Sequence, residues 1–135
     1  MQLLHIDDTA SLVAAPPFGI LEPTTTYADG RPREDALCGS QTLDVLLMPG
    51  LGFDLRGNRL GRGGGYYDKA LQRLQQLAQE QGKRPPLLVA LAFSAQLVEH
   101  VPLSAHDEQV DLLVTAEQVH ACTERGRQAM NTVLK

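Results

Sequence analysis

Between Thr42 and Thr115 the apolar residues follow two alternating rhythms. Leu43 to Met48 and Leu87 to Phe93 are nearly unbroken apolar runs, the pattern of strands buried on both faces, as in a parallel sheet. Between them Tyr67, Ala70, Leu71, Leu74, Leu77 and Ala78 fall three and four apart, which predicts an amphipathic helix over 66–80. Gly82 is placed to end that helix and Pro85-Pro86 blocks its continuation. Strand 43–48, helix 66–80 and strand 87–93 therefore predict a right-handed βαβ unit with parallel strands. Ser94 to His100 reads as either a short helix or a turn. A further strand is predicted at Val110 to Val114. Thr115-Ala116-Glu117-Gln118 resembles a capping box and predicts a last helix running towards Val133, interrupted by Gly126.

The first forty residues carry less signal. Leu3 to Ile6 is apolar and of strand length, and Thr9 to Val13 could hold a helical turn capped by Thr9. From Ala14 to Ser40, Pro16, Pro17, Pro23 and Pro32, with Gly19, Gly30 and Gly39, predict a long loop of the kind that is functional or wraps an edge. The pattern as a whole is α/β, a layered sheet with helices packed on it, in one domain over residues 1–135.

Composition narrows the function classes. A net charge of −4 argues against a general nucleic-acid or membrane-surface binder, and three Tyr, three Phe and no Trp argue against base-stacking platforms. No apolar run approaches membrane-spanning length and the first residues lack the layout of a signal peptide, so a cytoplasmic protein is expected. Cys38 and Cys122 have no CxxC partner and read as reduced thiols. The four histidines share no ligand-like spacing.

Candidate chemistry concentrates in one stretch. Residues 49–68 hold seven of the twelve glycines, and Arg56, Arg59, Arg62, Lys69 and Arg73 lie between positions 54 and 73 against only Asp54 and Asp68. Strand, glycine-rich loop and helix present free N–H groups and a helix N-terminus to an anion, which suggests a phosphate cradle. Gly57-Asn58 predicts a tight reversal within it. Two nucleotide fingerprints fail. Tyr66 stands where G-x-G-x-x-G needs its last glycine, and no Gly-Lys pair followed by Ser or Thr exists for a Walker loop. Asp68 in the first turn is favoured by the helix dipole alone. Beside a phosphate it would repel the ligand unless a cation such as Mg²⁺ lay between. A second carboxylate could come from Asp107, which precedes the third strand, or from Asp111, whose place inside it suits ordering of local backbone.

Met48-Pro49-Gly50-Leu51-Gly52-Phe53-Asp54 and Gly57-Asn58-Arg59-Leu60-Gly61-Arg62-Gly63-Gly64-Gly65-Tyr66-Tyr67-Asp68 together resemble the signature of the 5-formyltetrahydrofolate cyclo-ligase (5,10-methenyltetrahydrofolate synthetase) family. Phe18-Gly19-Ile20 with Glu22-Pro23, Ala90-Leu91-Ala92-Phe93 with Gln96, and Val101-Pro102 with His106-Asp107 and Val110-Asp111 follow the same pattern in order, so the resemblance spans about positions 1 to 115. It implies a three-layer α/β/α fold of the CoA-transferase-like kind, with a mostly parallel sheet and helices on both faces. It implies ATP- and Mg²⁺-dependent conversion of 5-formyltetrahydrofolate to 5,10-methenyltetrahydrofolate, releasing ADP and phosphate through a phosphorylated formyl (imidate) intermediate.

Carried over by position, Arg59, Leu60, Gly61, Arg62, Gly63, Gly64, Gly65, Tyr66 and Tyr67 match the ATP-binding stretch. Arg62 to Tyr66 also border the folate, Arg62 and Tyr66 are the catalytic candidates, and Asp68 and Asp107 match the Mg²⁺ ligands. One of the two tyrosines is expected in the core and one in the site. The implied partners are the folate substrate and ATP, with no nucleic acid and no membrane, in a monomer or weak homodimer. Met1 falls well inside the family's pattern, so the resemblance implies that an amino-terminal portion is lacking, including a Lys- and Arg-bearing helix that reaches the ATP phosphates. A non-catalytic nucleotide- or folate-binding remnant or isoform is the alternative. The segment after Thr115 is longer than the family shows there, and a packing role is expected for it.

Overall fold

The computed structural model describes residues 1–39, 41–102 and 108–133. The chain forms two compact units, Met1–Thr42 and Leu43–Lys135.

In the first unit β1 (Leu12–Ala15) and β2 (Ile20–Pro23) pair antiparallel, with Leu12 opposite Pro23 and Ala15 opposite Ile20. The expected long loop thus begins with a hairpin. Val13, Ile20 and Leu21 are exposed in it, so no buried face imposed a period on the sequence. Leu3 to Ile6 forms no strand; Leu4 makes an isolated bridge to Asp35. Thr9–Ser11 is a single 3₁₀ turn, capped by Asp8 rather than Thr9, whose Oδ1 accepts from the Ala10 N–H at 2.9 Å. Polar contacts order this unit. The buried Arg33 guanidinium donates to the His5 carbonyl (3.0 Å), Asp7 Oδ1 (3.2 Å) and Ser11 Oγ (3.1 Å), and lies 4.5 Å from the centre of the Tyr27 ring.

The second unit carries a four-stranded sheet. β3 (Val45–Leu47), β6 (Leu87–Leu91), β7 (Leu112–Val114) and β8 (Val119–Ala121) lie in that order, the first three parallel and β8 antiparallel to β7. β4 (Gly52–Phe53) and β5 (Arg59–Leu60) form a small hairpin after β3, and α1 (Tyr66–Glu80) follows. The α/β class, the parallel β3–α1–β6 unit and the limits of α1 are as the sequence predicts. Ala70, Leu71, Leu74, Leu77 and Ala78 of α1 are buried, as are Leu46, Leu88, Ala90 and Leu113 on one face of the sheet. Burial of each of these leucines contributes about 2 kcal/mol. The other face is more open: Val45, Leu47 and Leu91 are 51%, 56% and 61% exposed.

The chain after β7 differs from expectation. Thr115 to Gln118 is the turn between β7 and β8, and α2 (Glu124–Val133) starts only beyond them. Thr115 Oγ1 accepts from the N–H groups of Glu117 (3.3 Å) and Gln118 (3.1 Å). The hydroxyl-to-backbone bonding of a cap is therefore made, but it closes a hairpin instead of opening a helix. Gly126 does not interrupt α2. A Cβ there would lie 2.1 Å from the Asp111 carbonyl oxygen, so the glycine lets the helix approach the start of β7.

Candidate active site

The site is built outward from the β4–β5 turn. Asp54 is 1% exposed, and both carboxylate oxygens are occupied. Oδ1 accepts from the N–H groups of Arg56 (3.0 Å) and Asn58 (3.1 Å); Oδ2 accepts from Asn58 Nδ2 (2.8 Å) and the Val101 N–H (3.1 Å). Burial pushes this carboxyl up, but the hydrogen bonds from Asn58, Val101 and Arg56 outweigh it and hold it below the usual carboxylate range. Gly57 takes φ 88°, and a Cβ there would meet the Val110 carbonyl oxygen at 2.5 Å. This clamp fixes Arg59, the residue that leaves the turn. At the start of the loop, Gln96 Nε2 donates to the Gly50 carbonyl at 3.0 Å, tying the segment after β6 to the segment after β3.

Arg59 Nη2 donates to Asp68 Oδ1 at 2.7 Å, with side chains 7% and 24% exposed. The guanidinium carbon lies 5.8 Å from the centre of the Tyr67 ring, and Nε is buried with no hydrogen-bond partner. Between the two charged residues runs the glycine loop, with Gly63 (φ 79°) and Gly65 (φ 62°) in the left-handed region. Gly65 caps α1 without a side-chain bond. Among the described residues no main-chain N–H from Gly61 to Asp68 donates to another protein group, while Lys69 N–H begins the helical series at the Gly65 carbonyl (3.1 Å). A buried donor without a partner and a row of free amides are the features that an anion would satisfy.

The structure brings together Arg59, Leu60, the loop Gly61 to Gly65, Tyr67 and Asp68. Tyr66 is 66% exposed, its ring lying where a Gly64 Cβ would come within 2.7 Å of it; Tyr67 is half-buried beside Arg59. Arg62 is exposed. Asp107 lies outside the described residues. Asp111 is occupied structurally: Oδ2 accepts from the Leu88 N–H (2.9 Å) and Oδ1 from Thr123 Oγ1 (2.5 Å). Among the described residues no group of three or more His, Cys, Asp or Glu is gathered as a metal site. Asp68 alone still suits Mg²⁺, which takes one or two carboxylates and completes its shell with phosphate oxygens and water.

The structural role of Asp54 was missed in the sequence, although an Asp opening a Gly-Asn turn is a usable signal for it. A cavity of about 360 Å³, lined by Asn58, Leu71, Gln75, Pro86, Leu88 and Arg125 among others, lies at the N-terminal ends of β6 and β7. Among the described residues none of the glycine loop from Gly61 to Gly65 lines it, but Asn58 of the β4–β5 turn does.

The family model of 5-formyltetrahydrofolate cyclo-ligases matches residues 1–116. The chain belongs to this family. The mitochondrial 5-formyltetrahydrofolate cyclo-ligase of Arabidopsis thaliana is 45% identical over 132 residues, which are 96% of this chain and 47% of that protein. The mouse 5-formyltetrahydrofolate cyclo-ligase is 46% identical over 83 residues, 62% of this chain and 38% of that one. The NMR structure of Aquifex aeolicus 5,10-methenyltetrahydrofolate synthetase superposes with a TM-score of 0.65 at 33% identity, covering 91% of this chain and 53% of that one. The chain thus spans between 38% and 53% of the length of these cyclo-ligase relatives, and the loop, Arg59 and Asp68 all fall inside the family match. Among the described residues no helix is long and apolar enough to cross a membrane.

Proposed function

We propose that this chain carries the nucleotide-gripping part of an ATP- and Mg²⁺-dependent 5-formyltetrahydrofolate cyclo-ligase. The observation that supports this best is the buried Arg59, its Nε without a partner, beside the free amides of Gly61 to Asp68. In the reaction the formyl oxygen attacks the γ-phosphorus of ATP and ADP leaves. The second folate nitrogen then attacks the activated carbon, and phosphate departs as the ring closes.

Such a reaction asks the protein for positioning and charge neutralisation. The amides of Gly61, Gly63, Gly64 and Gly65 hold phosphate oxygens, and Arg59 supplies positive charge beside them. Arg62, exposed at the same loop, neutralises charge on the transferring group. Tyr66 and the main chain from Arg62 to Gly65 face the folate, while Leu60 and Tyr67 wall the nucleotide. Asp68, with Asp107 as the second proposed ligand, would hold Mg²⁺, which would supply neutralisation of phosphate charge.

Calorimetry of the purified chain with a non-hydrolysable ATP analogue and Mg²⁺, alongside the absorbance of methenyltetrahydrofolate with ATP, tests this. Saturable nucleotide binding and growth of the methenyl band are expected. Absence of nucleotide binding would remove the assignment.

A further inference from the structure

The Arg59–Asp68 pair stands where two different counter-ions are needed. Resting on the reading above, we propose that Arg59 is a positioning residue that acts as a latch: without nucleotide its guanidinium occupies the carboxylate that the metal requires, and the incoming triphosphate draws it away. Four observations carry this. Arg59 Nη2 lies 2.7 Å from Asp68 Oδ1, so the cation already sits on one of the two oxygens a metal would use. Asp68 is 24% exposed and Arg59 only 7%, so the carboxylate is the more accessible partner of the pair. Arg59 Nε is buried without a partner, so the guanidinium is incompletely satisfied by Asp68 and retains donor capacity for a phosphate oxygen. A Cβ at Gly61 would lie 3.1 Å from Arg59 Nη1, which places the other guanidinium nitrogen against the first residue of the loop whose amides are free.

The exchange needs no large motion. Turning the guanidinium from Asp68 towards the loop trades one charge-assisted contact for another, while the Asp54 clamp keeps the Arg59 backbone in place. Metal and nucleotide then become coupled through the protein. The metal alone must displace Arg59, and the nucleotide alone must pull it from Asp68. Each makes the other's binding easier, by the same factor in both directions.

Binding is measured on the full chain with Mn²⁺ alone, with a metal-free non-hydrolysable ATP analogue, and with both together, for wild type, Arg59→Gln and Asp68→Asn; circular dichroism checks folding. Wild type should bind Mn²⁺ alone weakly and at least about tenfold more tightly with the analogue present, after correction for the metal–analogue complex in solution. Arg59→Gln should bind Mn²⁺ alone several-fold more tightly than wild type. Asp68→Asn should bind the metal-free analogue several-fold more tightly than wild type, yet lose the gain from adding metal. A pair with a merely structural role would give the opposite sign in both variants, weaker binding of each single ligand, and that result overturns the latch while leaving nucleotide binding intact. If Arg59→Gln fails to fold, the Asp68→Asn measurement alone decides the sign. Wild-type chain that binds no analogue with or without metal overturns the functional reading together with the latch.

Discussion

Asp54 is the residue on which the geometry of the site depends most. Its four hydrogen bonds join the turn that presents Arg59 to the backbone at Val101. Asp54→Asn places an amide against Asn58 Nδ2 and the Val101 N–H, setting donors against donors. A cost of about 2–4 kcal/mol at neutral pH is expected in urea unfolding. The pH dependence follows from the folded carboxyl lying below its ordinary range. Its contribution is complete above the unfolded value near 4 and is lost as pH falls through the folded one, so the gap between wild type and Asp54→Asn should narrow below about pH 4. A gap that widened in acid would contradict the assignment. Gly63 and Gly65 are the corresponding backbone positions. Their positive φ means that alanine at either costs about 1–2 kcal/mol of local strain, and both substitutions should weaken binding of the ATP analogue by about tenfold or more with little change in secondary structure. Much of this scale was hidden in the sequence. The glycine cluster, Arg59 and Asp68 stand out by composition, but nothing in a nine-residue spacing says that two of them form an ion pair. That contact follows from the path of the loop.

Among the elements, α1 was legible almost to the residue, because its leucine stripe is buried and Gly82 with Pro85-Pro86 marks its end. β3, β6 and β7 were legible as apolar runs, each found shorter than the run that announced it. β8 was not. Val119-His120-Ala121 is three residues long, without a fully buried position to set a period. The hydroxyl of Thr115 can open a helix or close a hairpin with the same bonds, and antiparallel pairing with β7 decided between them. α2 offers the sharpest check on packing. Alanine normally favours a helix over glycine by about 1 kcal/mol. At Gly126 the Cβ would overlap the Asp111 carbonyl, so Gly126→Ala should destabilise the protein by about 2–4 kcal/mol in thermal or urea unfolding. Stabilisation instead would mean that α2 does not press on β7 at this point.

At the scale of the whole molecule, the second unit has one closed sheet face and one apolar face that is largely open at Val45, Leu47 and Leu91, with β3 at the sheet edge among the described strands. Edges and faces of this kind pair with other chains. Sedimentation should show association that rises with concentration and is reduced by Leu47→Lys; a strict monomer at all concentrations would contradict this. The family was legible from residues 48–68 and the ordered fragments around them, and the match over residues 1–116 bears it out. On the proposed reading, the main-chain amides entering α1 grip a nucleotide triphosphate. The most direct measurement is a ¹H–¹⁵N correlation spectrum of the labelled chain titrated with Mg²⁺ and a non-hydrolysable ATP analogue. Saturable shifts concentrated in Gly61, Gly63, Gly64, Gly65 and Tyr66 are predicted. Amides that stay in place while shifts gather elsewhere, or do not occur at saturating analogue, would contradict it.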